Sequence, residues 1–147
     1  MLWSEAEAAI RAHVVAQWAL SAHAATPLQW ENETQTRVAT YVHLNLEGTF
    51  AEKGLYGSTG KRLSVEGGIV FVHAFTARGI GKETALELVE TMTGILELQA
   101  IGTAIRMGGA EPPSPVDQGD AQVPQQQPGG NYYRSSASVP FIVIGAK

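Results

Sequence analysis

Residues 62–98 constrain the chain more than any other stretch. Gly68-Ile69-Val70-Phe71-Val72-His73-Ala74-Phe75 is β-branched and aromatic, which is strand composition. Thr76-Ala77-Arg78-Gly79-Ile80-Gly81-Lys82 follows as a glycine turn. From Glu83 on, apolar residues recur at 85, 88, 89, 92, 95 and 96, the spacing of a helix with one buried face. Glu83, Glu87, Glu90 and Thr91 fall on the opposite face. Burial of Leu88, Val89, Met92, Ile95 and Leu96 contributes roughly 1.5–3 kcal/mol each. Strand, turn and amphipathic helix in succession predict a helix lying as a lid on a sheet.

A second strand pattern precedes this unit. Val38, Thr40, Val42, Leu44 and Leu46 alternate with Arg37, Ala39, Tyr41, His43 and Asn45, as in a half-buried strand. Glu47 to Gly60 reads as a long glycine-bearing loop, longer than an ordinary hairpin connection. It carries Phe50, Leu55 and Tyr56, so it is either folded onto the domain or docked on a partner. Arg62 to Phe75 is the next strand. There Leu63, Val65, Ile69, Phe71 and Phe75 share a face if pairing is unbroken, and Gly67-Gly68 mark a bulge or a bend.

Upstream, residues 4–24 read as an alanine-rich helix with apolar Ile10, Val14 and Trp18 on one face. Ser4-Glu5-Ala6-Glu7 fits a capping box. His13 and His23 on this helix are too far apart to share a ligand, and read as surface or half-buried side chains. Thr26-Pro27 ends the helix. Pro27 to Asn32 is an extended connection that Trp30 anchors to the core. Downstream, Ile101 to Met107 is a short strand. Residues 108–130, with Glu111-Pro112-Pro113-Ser114-Pro115 and Gln125-Gln126-Gln127-Pro128-Gly129-Gly130, read as a long irregular excursion. Tyr132 to Ile144 is the last strand, and Pro140 makes it an edge strand or places a bulge there.

The order α-β-β-α-β-β predicts one α+β domain over residues 1–147, with a mostly antiparallel sheet and helices packed on one face. The 147 residues, 44% hydrophobic and 16% charged, suffice for one packed core. A net charge of −4 argues against a general nucleic-acid binder. No cysteine is present, so disulfides and thiolate metal sites are excluded. The N-terminus lacks the pattern of a signal peptide, and no run of about 18 apolar residues reads as a membrane span.

Catalytic motifs are weak. Gly79-Ile80-Gly81-Lys82 sits where phosphate loops sit. The pattern, however, needs a glycine where Thr76 stands and Ser or Thr where Glu83 stands. Glu83 at a helix start repels a phosphate and itself suits the helix dipole. If Leu46 pairs near Arg62, His43 lies opposite about Val65, far from His73, and the two share no metal. The reading is of a chain that is not an enzyme, with no catalytic, cofactor-binding or metal residues.

With these elements in hand, the chain resembles the tail terminator proteins of long-tailed bacteriophages, prophages and phage-derived gene transfer agents. Pro27-Leu28-Gln29-Trp30-Glu31-Asn32 leading into Tyr41-Val42-His43-Leu44 carries the likeness, with the 68–81 stretch and the helix after it. It spans residues 4–107 and 131–145. The resemblance implies a structural virion protein, made in the bacterial cytoplasm and placed at the tail-neck junction. Such proteins form a homo-hexameric ring on the last ring of the tail tube protein, stop tube growth, and offer a surface for head-tail joining through connector or neck proteins. They use no cofactor, and DNA passes through their channel without specific binding. A neck or head-completion protein is the nearest alternative, and a small-ligand or enzymatic α+β domain using Lys82 a more distant one. A closing ring needs a heterologous interface. Phe50, Leu55, Tyr56, Arg78, Tyr132 and Tyr133 are its candidate residues. Tyr132 and Tyr133 are adjacent in a strand and so face opposite ways, which leaves one of them for the domain's own core.

Overall fold

The protein was analysed as a computed structural model, which describes residues 2–31, 33, 38–56, 63–77, 82–116 and 132–146. Its elements are α1 (Trp3–Ala19), β1 (Leu28–Trp30), β2 (Thr40–Tyr56), β3 (Leu63–Ala77), α2 (Lys82–Leu96), β4 (Ala100–Ile101), β5 (Ile105–Met107), β6 (Ser114–Val116) and β7 (Tyr132–Ala146). The strands form one sheet in the order β1-β2-β3-β7-β5-β4, with β6 also on β7. Every pairing is antiparallel except β1 on β2. This is the expected α+β class with additional short strands.

Alternation decides which side of the sheet is core. Val42 and Leu44 of β2, Val70, Val72 and Ala74 of β3, and Ala137, Val139, Phe141 and Val143 of β7 share one buried cluster with both helices. From α1 come Ala6, Ile10, Val14 and Trp18; from α2 come Ala85, Leu88, Val89, Met92 and Leu96. The helical periodicity of α2 is therefore realised as read, except that Ile95 is only partly buried. His13 ties the helices together, its Nε2 donating to the carbonyl of Ile95 at 3.1 Å. Among the described residues no helix lies on the second face of β2–β3–β7.

Several local expectations are corrected. Helix α1 begins at Trp3 with Leu2 as its cap, and the Glu5 carboxylate accepts the Leu2 N–H at 2.6 Å. The earlier start brings Trp3 into the helix, where its ring stacks on Phe141 at 5.6 Å. The helix stops at Ala19, well before Pro27. Backbone bonds from Leu20 to Gln17 and from Ser21 to Trp18 tighten the last turn, and Ser21 Oγ donates to the Trp18 carbonyl at 2.7 Å. The Pro27–Asn32 connection contains a strand, β1, parallel to β2, with Trp30 buried as expected.

Residues 47–56 are not loop: β2 runs on to Tyr56 beside β3. The composition of this stretch is poor for a strand, and pairing with β3 overrides it. The expected register fails with it. His43 stands directly opposite His73, because β2 does not turn after Leu46 but stays paired with β3 as far as Tyr56. The expected strand 101–107 is a hairpin, β4 and β5, turned at Gly102 with φ +63°. Within the supposed irregular excursion, Ser114–Val116 pairs with β7; residues 117–131 lie outside the described residues. Nor is β7 an edge strand, since it sits between β3 and β5. Pro140 is tolerated because its carbonyl, and hence its missing N–H, faces the gap between β5 and β6, where Gly108 N–H donates to it at 2.7 Å.

Candidate assembly interface

The glycine pair 67–68 organises the far end of the sheet. The register between β2 and β3 slips between Gly48 and Phe50, opposite Gly68 and Gly67, so the extra residue is Thr49 on β2. A slip of one residue exchanges the faces of a strand. It moves Phe50 off the helix side and onto the helix-free side, where its ring covers Gly67 closely enough to exclude a Cβ there. Gly68 is enclosed from the other side by Trp3, Phe141 and the carbonyl of Glu47. The sequence flagged this bulge from the glycines, but the bulged residue belongs to the partner strand.

With Phe50 turned over, the helix-free face holds a groove of 530 Å³ floored by Ile69, Pro140 and Ile142, with Phe50 at one end and Arg106 at the other. Phe50 is 49% exposed, and Ile144, two residues beyond Ile142 on β7, is 36% exposed. An aromatic and three aliphatic residues left uncovered on one patch mark an interaction surface. The edge of β2 next to it is also open. Val42 N–H and Leu44 C=O point to β1, whose bonds are Val42 N–H to Pro27 and Glu31 N–H to Leu44. Alternation turns Leu46 and Gly48 the same way, past the end of β1, and residues 47–51 are exposed. Among the described residues nothing pairs with this edge, and unpaired strand edges are templates for another chain.

Of the expected interface residues, only Phe50 sits on this patch. Tyr133 faces the helix side and packs against the core, as the alternative reading of it allowed. It pairs near Thr76, on the order of 30 Å along the sheet from Phe50. Leu55, Tyr56 and Tyr132 belong to strands, but their side chains lie outside the described residues, as does the whole of Arg78. Ile69, Pro140 and Ile142 escaped the sequence reading. Ile69 and Ile142 look like strand core until the helices are known to lie on one side only, and Pro140 reads only as the mark of an edge or a bulge.

The other end of the helix-free face is aromatic and basic. Tyr41 stacks on Phe75 at 4.8 Å, and the His43 and His73 rings stand 6.3 Å apart. His73 Nδ1 and Ser136 Oγ share a hydrogen bond of 2.7 Å. The new register brings the two imidazoles together, yet among the described residues no three His, Cys, Asp or Glu form a metal-holding group. Burial holds the His43 imidazole below its usual pKa of 6.5, because desolvation disfavours the cation. The folded state then binds fewer protons than the unfolded chain below that value. Its contribution to stability is whole above about pH 6.5 and is lost as the pH falls through the interval down to the folded pKa. Urea midpoints should therefore drop between pH 7.5 and pH 5.5, and less so in His43→Gln. An equal drop in both proteins would refute the assignment to His43.

Among the described residues no helix is long and apolar enough to cross a membrane. No protein-family model and no curated protein matches the chain. Twenty-three solved chains share its architecture. One superposes over 93% of this chain and 94% of its own, with a TM-score of 0.57 and 17% identity. At that identity the likeness establishes the fold: an α+β domain with its helices on one face of a mostly antiparallel sheet.

Proposed function

We propose that this chain is a structural ring protein of a phage-like particle, the tail terminator that caps the tail tube. Six copies close a ring on the last ring of tube protein, end its polymerisation, and present a second face to the head connector or neck. DNA passes through the channel, and no catalytic step or cofactor is assigned. The observation that carries the reading is the apolar patch of Phe50, Ile69, Pro140 and Ile142 beside an unpaired strand edge, on the sheet face that the helices leave bare. A subunit built to be covered on one side suits an assembly better than a freely diffusing enzyme. The sequence likeness to tail terminators supplies the kind of assembly.

Particles made without this chain test the proposal. Their tubes should overgrow and fail to join heads. Tails of normal length joined to heads would overturn it, and tails of normal length without heads would favour the neck-protein alternative. At the level of the subunit, Phe50→Glu should fold normally, since the side chain is half exposed, and should weaken self-association at least tenfold by analytical ultracentrifugation. Unchanged association would remove Phe50 from the interface.

A further inference from the structure

One exposed leucine is held in a backbone conformation that leucine disfavours. Leu98, in the turn after α2, has φ 57° and is 73% exposed. Among the described residues no other non-glycine residue has a positive φ. The left-handed region crowds a Cβ against the backbone, so glycine is usual there. The turn is held in place: Leu98 N–H donates to the Gly108 carbonyl at 3.0 Å, Met107 N–H to the Gln99 carbonyl at 2.8 Å, and Ala110 N–H to Glu97 Oε2 at 2.9 Å. Strain of this kind persists where the surroundings impose it, and it clusters at functional sites. Within the subunit little offsets it, since most of the side chain stays in water.

The groove of Phe50, Ile69, Pro140 and Ile142 is complementary to this turn. Its lining holds no acid, and its one charged residue is Arg106. Arg106 Nη1 donates to the Ile105 carbonyl at 2.9 Å and to the Gly102 carbonyl at 3.4 Å, which keeps the guanidinium at that end of the groove. Among the described residues no carboxylate pairs with it. The occupant that suits such a groove is an apolar side chain with a carboxylate next to it. Glu97-Leu98 is such a pair, and Glu97 forms no ion pair among the described residues. Of the other exposed leucines, Leu2 and Leu20 have no acid beside them, and Leu86 lies within the regular helix α2.

We infer that Leu98 of one copy seats in the groove of a second copy, against Ile69 and Ile142, with its Glu97 facing Arg106. The turn joins α2 to β4 at the outer edge of the sheet, whereas the groove lies on the helix-free face. A copy whose Leu98 is engaged therefore keeps its own groove for the next copy. The contact is heterologous and passes from copy to copy, as ring closure requires. A turn already fixed by hydrogen bonds also loses little freedom on docking. The inference deepens the ring reading by naming what covers the bare patch, and it rests on that reading for its biological setting.

Because the chain has no cysteine, cross-linking can report this contact on the full protein. Leu98→Cys mixed with Ile142→Cys should give, on mild oxidation, a disulfide-linked pair that neither forms alone. The variant carrying both substitutions should give a ladder extending beyond dimers on a non-reducing gel. Leu98→Gly separates assembly from folding. Glycine relieves the backbone strain, so the thermal midpoint should hold or rise. Self-association by analytical ultracentrifugation should nevertheless weaken at least tenfold. A Leu98→Gly protein that associates like the wild type would overturn the inference, and so would a ladder that stops at dimers. A clear fall in its thermal midpoint would do the same, by showing that Leu98 packs within its own subunit. A wild type that associates while the cysteine variants fail to cross-link would give the groove another occupant and also overturn it. Particle phenotypes separate the two proposals. The ladder alongside normal, head-joined tails in particles lacking the chain would sink the tail reading and leave this contact standing; overgrown tails without the ladder would do the reverse.

Discussion

Leu88→Asp is expected to yield no folded protein. Leu88 is 1% exposed on the face of α2 that lies against β3 and β7. Removing a buried leucine costs about 2–5 kcal/mol through lost transfer energy and the cavity left behind. The carboxylate adds several kcal/mol more, whether it is buried charged or must first be protonated. A domain's whole stability is about 5–15 kcal/mol. Lys82→Ala is the control. Lys82 is exposed at the first turn of the same helix, and losing it should shift stability by no more than about 0.5 kcal/mol. Far-UV circular dichroism and urea titration distinguish these outcomes. A cooperative transition in Leu88→Asp would show that α2 is not the lid of the core, and unfolding by Lys82→Ala would show that the glycine turn carries a structural charge.

Gly68→Val should be nearly as damaging, although it deletes nothing. Even a single Cβ at this position would lie 2.6 Å from Phe141, 2.7 Å from Trp3 and 2.7 Å from the carbonyl oxygen of Glu47. The two rings could swing aside, but the oxygen belongs to the paired strand and moves only with the backbone. Overpacking of this kind costs about 1–3 kcal/mol for a small addition and more for a branched side chain. Loss of the Trp3–Phe141 stack would detach the start of α1 from the sheet. Gly94→Ala is the opposite case. A Cβ there meets nothing within 4 Å, and an alanine inside a helix should add about 0.5–1 kcal/mol. A thermal midpoint that does not fall in Gly68→Val would contradict the packing described at Gly68, and one that does not rise in Gly94→Ala would contradict the open space at Gly94.

The contrast between these two glycines shows what the sequence could convey. The helical period of α2 and the strands around Val42, Val70 and Val139 were legible because one repeated interaction, burial on one face, writes them. The pair Gly67-Gly68 announced an irregularity, but two glycines do not say which strand holds the extra residue. That depended on Trp3, Phe50 and Phe141 converging from three distant places in the chain. The extension of β2 to Tyr56 was invisible for a similar reason. Glu47-Gly48-Thr49 and Lys53-Gly54 are turn-like locally, and only the neighbouring β3 holds them extended. The candidate interface suffered most, since Ile69 and Ile142 are indistinguishable from core until the helices have chosen a side, and Pro140 signals only an interrupted ladder. Leu98 gave no signal at all: it adopts φ 57° just after α2, where glycine is usual, and is 73% exposed.

The placement of β7 between β3 and β5 has a kinetic consequence. The hydrogen bond from Ser64 Oγ to the Gly145 carbonyl joins residues 81 apart, and the whole β3–β7 ladder spans comparable distances. β2 and β3 are neighbours in sequence and can pair as soon as both exist. Until β7 arrives, that hairpin offers Val70 and Val72 on one side, Ile69 and Phe71 on the other, and a bare edge along β3. Loop closure of this length is slow, and the waiting hairpin is the species most exposed to wrong partners. Copies of the same chain made side by side carry the same hairpin, so the time spent waiting for β7 sets how much of the product misassembles.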